Sequence, residues 1–396
     1  MIMKENMQFE NWDFSPRSIN RMNWYAEQDA PVGVPVLDLS LLNGDAGHIL
    51  KQRELELLCD AITGSGFFYI KNFGVSESEI ESISNITRAF FGQPESYKTR
   101  FDRHHQVRGY SGYRYESTAR FFGSGKGKDL CMKYTMGPEL TPEELRERIT
   151  CEADITAGAY APNIFPTPEF RNAWLRYYRA VHRTSLMLLE AMGEALNLPD
   201  TSRAILRNML IEKSAGELRF FQYPDVPLAA CADVPGNDLD RMAAHFDIDV
   251  ITLLHQTPCD NGFVSLEAQI GREYVKIPAI RGTLVVNLGE ILRLLTGNKI
   301  KATVHRVVRP PQRLHEGSAR DVLVFFQAPP LNARLRPLEI GEGLGSDTVF
   351  DRLYHDAGTQ GYVTFSQLQR HMLGEFVQHM ETHSEEHELD AHLFGQ

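Results

Sequence analysis

The chain has 396 residues, enough to bury a large core as one big domain or two smaller ones. Its 42% hydrophobic and 23% charged content is that of an ordinary soluble globular protein. A formal charge of -11, from 41 basic and 52 acidic side chains, argues against a nucleic-acid partner, because most of the surface would repel a phosphate backbone.

Residues 1–33 are polar, end in Asp29-Ala30-Pro31-Val32-Gly33 and read as an irregular lead-in. Met1 to Ser18 carry no apolar run, so no secretory leader is expected. Nor does any stretch of about 18 apolar residues predict a membrane span. Pro35 to Leu39 is a short strand signal, Ile49 to Ile62 has helical apolar spacing, and Gly66 to Ile70 reads as a buried strand. Ser76 with Glu79 forms a capping-box signature that opens a helix running to about Phe91. Arg103 to Asp129 is rich in Gly, Tyr, Arg and Ser and predicts a long ordered loop. Glu169 to Leu196 is predicted as the longest helix, with a second around Ser202 to Ile211.

From Glu217 to Gln327 short apolar runs recur between turn residues: 218–223, 250–254, 263–268, 274–277, 284–288, 302–308 and 322–327. Short strands at this spacing predict a double-sheet jelly roll, also called a double-stranded β-helix. The expected class is therefore α+β with a mostly β core. The expected divisions are a lead-in (1–33), a helical N-terminal region packed on the core (34–215), the jelly-roll core (216–335) and a C-terminal helix and tail (336–396). The five cysteines, Cys59, Cys131, Cys151, Cys231 and Cys259, are scattered and contain no CxxC pair. That usage predicts reduced thiols in a cytoplasmic protein.

His245-Phe246-Asp247, with His305 58 positions after Asp247 and Arg320 a further 15 on, carries the chemistry. Two His and one carboxylate on one face of a metal leave the other face open, as in non-haem Fe(II) oxygenases. In a strand, residues i and i+2 point the same way, so His245 and Asp247 would project together. His305 sits in a second alternating stretch, Thr303 to Val308. An H-x-D triplet alone is weak in a chain with 14 His, and a satisfied core histidine is the bland alternative at these positions. The similar triplets His379-Met380-Glu381 and His383-Ser384-Glu385 lie in a charged stretch that reads as a solvated helix face. Zinc is disfavoured, because no thiolate or fourth His falls nearby. Arg320 opens an otherwise apolar strand; a lone Arg there is more often a solvated edge residue. Turned toward the metal, its guanidinium would need a partner, which a dicarboxylate co-substrate would supply.

Gly123 to Asp129 has neither the spacing of a P-loop nor its closing Ser or Thr, and no G-x-S-x-G is present.

These residues resemble the iron and 2-oxoglutarate dependent dioxygenases of the isopenicillin N synthase type. Pro35 to Leu39, Gly66 to Ile70 and Phe90 to Lys98 are similar to the family's N-terminal region; Asn287-Leu288-Gly289 and His305-Arg306-Val307-Val308 are similar to its C-terminal half. Within the family the likeness is to the cephalosporin ring-expanding enzymes. It is carried by His255 to Leu266, Arg108 to Gly112, Glu116 to Ala119 and Met132 to Gly137. The resemblance implies that His245, Asp247 and His305 ligate Fe(II), that Arg320 pairs with the far carboxylate of 2-oxoglutarate, and that O2 is the oxidant. It also implies a cofactor role near Tyr223, and a substrate side that includes Arg219, Phe221, Met242 and Asn287. The C-terminal tail, Arg370 to Gln396, is implied as a lid.

Two departures stand out. Where the family has Arg-x-Ser, this chain has Val322. Losing a hydrogen bond to a charged group costs about 1.5–3 kcal/mol, which weakens co-substrate binding without excluding it. Where the ring-expanding enzymes carry a second Arg, this chain has Phe221, which puts a penicillin substrate in doubt. The expected activity is oxidation of a small molecule of specialised metabolism by hydroxylation, desaturation or ring rearrangement, with release of succinate and CO2. The rival readings are an iron oxidase that works without 2-oxoglutarate and a non-catalytic binding protein on the same fold.

Overall fold

The computed structural model describes residues 30–43, 47–103, 108–121, 127–148, 160–211, 215–235, 239–339 and 362–369. Two β-sheets face one another, and a long helix covers the outer face of the larger one. The larger sheet holds nine strands: β1 (Val36–Asp38), β2 (Phe67–Lys71), β3 (Asp102–Arg103), β4 (Arg108–Ser111), β5 (Met132–Met136), β6 (Glu217–Tyr223), β8 (Ile251–Gln256), β11 (Thr283–Leu288) and β13 (Arg320–Gln327). Their spatial order is β1-β2-β11-β8-β13-β6-β5-β4-β3. The smaller sheet has the order β10-β9-β12-β7 and is built from β7 (Asp240–His245), β9 (Leu266–Ile270), β10 (Glu273–Lys276) and β12 (His305–Val308). A last pair joins β14 (Arg334–Leu335) to β15 (Val363–Thr364). This is the jelly-roll α+β fold expected from the sequence.

Strand alternation separates two cores. On β2, Phe68 and Ile70 join Leu253, Val286, Leu323 and Phe325 on the face that meets the helix Pro168–Ala195, whose Trp174, Val181 and Leu188 are fully buried. The intervening Phe67 and Tyr69 turn inward, with Phe221, Tyr223, Val322 and Val324, onto Leu266, Ala268 and Val307 of the smaller sheet. Period-2 side-chain placement on a sheet buried on both faces accounts for the near-continuous apolar runs in these strands.

Several local signals have a structural counterpart. Ser76 accepts from the Glu79 amide while the Glu79 carboxylate accepts from the Ser76 amide, a capping box on the helix Glu77–Phe91. The longest helix starts from Thr167, whose hydroxyl accepts from the Phe170 amide. The N-terminal region departs from expectation because it is not only helical: β1 to β5 supply five of the nine strands of the larger sheet. Part of the stretch expected as a loop is β4, which pairs with β5. Every residue of β4 and β5 is buried, yet β4 reads Arg-Gly-Tyr-Ser, with a single large apolar side chain, so no apolar run betrays it as a strand. At the C-terminal end the described residues open with β15, and the expected closing helix is represented by residues 365–369. The expected lead-in (apart from 30–33), the His–Glu triplets and the lid segment lie outside the described residues.

Candidate metal centre

His245 is the last residue of β7 and His305 the first of β12, and the antiparallel register sets them directly opposite one another. Their rings lie 4.3 Å apart, centroid to centroid. Asp247 lies two residues beyond the end of β7, so regular strand alternation is not what aims it; the chain leaves the sheet after His245. Phe246 and Ile248 pack against the helix-side core. The Asp247 Oδ1 atom stands 3.9 Å from His245 Nε2 and 3.8 Å from His305 Nε2. Among the described residues these three form a group whose ligand atoms all lie within 4.8 Å of one another.

Each candidate ligand is held from behind. His245 Nδ1 donates to the Ala243 carbonyl at 2.7 Å and His305 Nδ1 to the Thr303 carbonyl at 3.2 Å, which leaves each Nε2 as the metal-facing atom. The Phe67 ring sits edge-on to His305 at 5.6 Å. Asp247 Oδ2 accepts from the Thr252 hydroxyl and, at 2.7 Å, from the Asn287 amide. Its Oδ1 is the atom that faces the imidazoles.

Burial, and then the neighbouring His305, hold His245 down to about 4, so the ring is neutral at physiological pH. Burial pushes Asp247 up, but His305, His245 and the bonds from Thr252 and Asn287 outweigh it and keep the carboxyl below its ordinary range. Two imidazoles and one carboxylate are the donor set that binds Fe(II) while leaving coordination positions open.

The other residues singled out from the sequence fall into three places. Arg320, 5% exposed, lies at the head of β13 opposite Tyr223. One guanidinium nitrogen donates to Gln256 Oε1 at 2.9 Å, and its Nε is buried without a partner. Gln256 is locked by donating to the carbonyls of Ile277 and Pro278. A buried guanidinium with an unmet donor fits the far carboxylate of 2-oxoglutarate. Tyr223 lies 5.6 Å under that guanidinium and donates weakly to Met242 Sδ at 3.8 Å. Val322 lies on the same interior face, in register with both Phe221 and Gln256.

Phe221 stacks on Tyr223, with centroids 6.2 Å apart. Arg219 sits farther along β6, over the Phe326 ring at 4.9 Å and bonded to Glu217 at 2.6 Å. Asn287, expected on the substrate side, donates to the Asp247 carboxylate.

Sequence reasoning missed Thr252 and Arg241. The Thr252 hydroxyl bridges Asp247 and Asp249. Burial, then the Asp247 charge, drives the Asp249 carboxyl well above its usual range. Arg241, fully buried on β7, donates to the carbonyls of Ser318 and Pro224 and packs on Tyr223. No local signal marked Arg241, which directly follows Asp240 and reads as one more surface charge.

Comparison with known proteins agrees with this geometry. Residues 34–167 match the family described as non-haem dioxygenase in morphine synthesis, N-terminal. Residues 217–329 match the 2OG-Fe(II) oxygenase superfamily. The chain is 31% identical over 307 residues to the deacetoxycephalosporin C hydroxylase of Streptomyces clavuligerus, spanning 76% of this chain and 85% of that protein. It is also 31% identical over 309 residues to the deacetoxycephalosporin C synthase of Amycolatopsis lactamdurans, spanning 75% and 84%. The crystal structure of a full-length Neurospora crassa protein in complex with alpha-KG and thymine shares the fold, with a TM-score of 0.66 at 20% identity over 89% of this chain and 99% of that one. The chain is a member of the 2OG-Fe(II) oxygenase superfamily, an iron- and 2-oxoglutarate-dependent dioxygenase.

Proposed function

We propose that His245, Asp247 and His305 hold Fe(II), that Arg320 with Tyr223 anchors 2-oxoglutarate, and that the enzyme oxidises a small molecule of specialised metabolism. The observation that carries the reading is the convergence of Asp247 Oδ1 on both Nε2 atoms across a register fixed by β7 and β12. Iron with 2-oxoglutarate and O2 supplies an oxidant able to take hydrogen from carbon, with release of succinate and CO2.

The chain's own residues do the positioning. Thr252 and Asn287 orient Asp247, the two backbone carbonyls set the imidazole tautomers, and Gln256 aims the Arg320 guanidinium. Phe221, Val322 and Val324 line the interior and exclude water from it. Hydroxylation, desaturation and ring rearrangement all start from hydrogen removal, and the orientation of the bound substrate selects among them.

A cytoplasmic site is supported by four free thiols among the described residues and by the need of Fe(II) for reducing surroundings. No described helix is long and apolar enough to cross a membrane. The charge of -11 supports a small-molecule partner over nucleic acid.

The test is an anaerobic titration with Fe(II) and 2-oxoglutarate, watched for the charge-transfer absorption of the chelate, then succinate release across a metabolite panel. Absence of that absorption in folded protein would sink the reading.

A further inference from the structure

We infer that Arg241 is a positioning residue for the co-substrate: its guanidinium ties the two strand ends that carry Tyr223 and Arg320 to the strand that ends in His245, and so sets where the far carboxylate lies relative to the metal. This deepens the oxygenase reading and rests on it.

Tyr223 closes β6 and Arg320 opens β13, and the register sets them opposite one another. The segments beyond them are stitched together. The Ala319 amide donates to Asp225 Oδ1 at 2.7 Å, and the Val226 amide donates to the Ser318 hydroxyl at 3.3 Å. Arg241 reaches this joint from the smaller sheet. One terminal nitrogen donates to the Ser318 carbonyl at 3.0 Å; the other donates to the Pro224 carbonyl at 2.7 Å and to the Ser318 hydroxyl at 3.3 Å. The guanidinium also lies 5.8 Å from the Tyr223 ring centre, and the next residue, Met242, meets the Tyr223 hydroxyl. One side chain thus braces both residues of the proposed 2-oxoglutarate anchor. It stands four residues before His245 on β7, roughly 13 Å of strand.

The chemistry of Arg241 argues for more than space filling. The side chain is 1% exposed, its Nε is buried without a partner, and its bonds go to carbonyl and hydroxyl oxygens. Among the described residues neither Arg241 nor Arg320 makes an ion pair. A buried charge without a counter-ion is destabilising, and an apolar side chain of similar length would fill the space more stably. What the guanidinium adds is a planar fork that holds two main-chain carbonyls from different segments at once. It also places a second positive charge beside the Tyr223 ring that Arg320 faces at 5.6 Å, so an incoming carboxylate meets the field of both. With Val322 where a hydroxyl is usual, the hold on that carboxylate falls to Arg320 and Tyr223, and their placement matters the more.

The test follows anaerobic binding of two oxo acids to the Fe(II)-loaded enzyme through the absorption of the chelate. One is 2-oxoglutarate; the other is 2-oxopentanoate, which keeps the keto acid and lacks the far carboxylate. Arg241→Met is expected to raise Kd for 2-oxoglutarate at least about tenfold, while Kd for 2-oxopentanoate and for Fe(II) stays within about threefold. Arg241→Lys keeps the charge without the fork and should lose less, and it carries the same comparison if Arg241→Met does not fold. A matching loss for 2-oxopentanoate or for Fe(II) would show a general loosening of the site. An unchanged Kd for 2-oxoglutarate in the folded variants would show no part in the anchor. Either result overturns the inference. Failure of the parent enzyme to form the chelate with 2-oxoglutarate would instead strike the underlying oxygenase reading.

Discussion

The Asn287 amide on β11 donates at 2.7 Å to the Oδ2 atom of Asp247, forty residues earlier in the chain, and so fixes which carboxylate oxygen turns toward the two imidazoles. Both side chains are buried, and Thr252 completes the hold on that oxygen.

Replacing Asn287 with Ala frees the Asp247 carboxylate to rotate. Iron affinity is expected to fall about 10- to 100-fold, the usual effect of losing a group that orients a metal ligand. Anaerobic titration with Fe(II) measures this, and an unchanged affinity would show that Thr252 alone suffices.

Arg320 and Val322 bear on the co-substrate in opposite directions. Arg320→Met should abolish detectable 2-oxoglutarate binding while leaving iron binding within a few-fold. Val322→Ser adds a hydroxyl on the same interior face as Arg320 and should tighten 2-oxoglutarate by about tenfold or more, the value of one hydrogen bond to a charged group. Chelate absorption against 2-oxoglutarate concentration reads both; no tightening in Val322→Ser would place the far carboxylate elsewhere.

Phe90 contributes to stability at a distance from the chemistry. Its ring lies 5.2 to 6.3 Å from those of Phe91, Tyr97, Phe101, Tyr110, Tyr134 and Phe170, and it is 4% exposed. Phe90→Ala is expected to destabilise by about 3–5 kcal/mol through lost packing and a residual cavity. Urea denaturation of the metal-free protein gives the value directly.

His255, between Leu254 and Gln256 on β8, is held down to about 4 by burial and then by Arg88. Its unfolded-state value is near 6.5, so the unfolded chain binds the extra proton first as pH falls. Stability is therefore unaffected by this group above about pH 7 and declines through the window from about 6.5 to about 4, by about 2 kcal/mol at pH 5. His255→Gln removes that part of the decline, so its urea midpoints at about pH 7 and about pH 5 should differ less than those of the parent protein. Equal differences in the two proteins would refute the assignment.

Much of this protein could be read from residue order alone, because the signals are local. The capping box at Ser76, the periodicity of the 168–195 helix and the apolar runs of β6, β8, β11 and β13 each depend on neighbours a few positions away. The three candidate metal ligands were legible less from their spacing, since similar triplets recur in the chain, than from the longer stretches around them that resemble the oxygenase family.

What only the tertiary structure decided is which distant groups share a surface. The pairing of His245 with His305, the grip of Asn287 on Asp247, and the placing of Tyr223 opposite Arg320 all follow from strand register. Register is set by long-range burial of whole strand faces, and a one-residue slip would send every side chain to the opposite face. No local pattern contains that information, and so these contacts emerged only once the sheets were assembled.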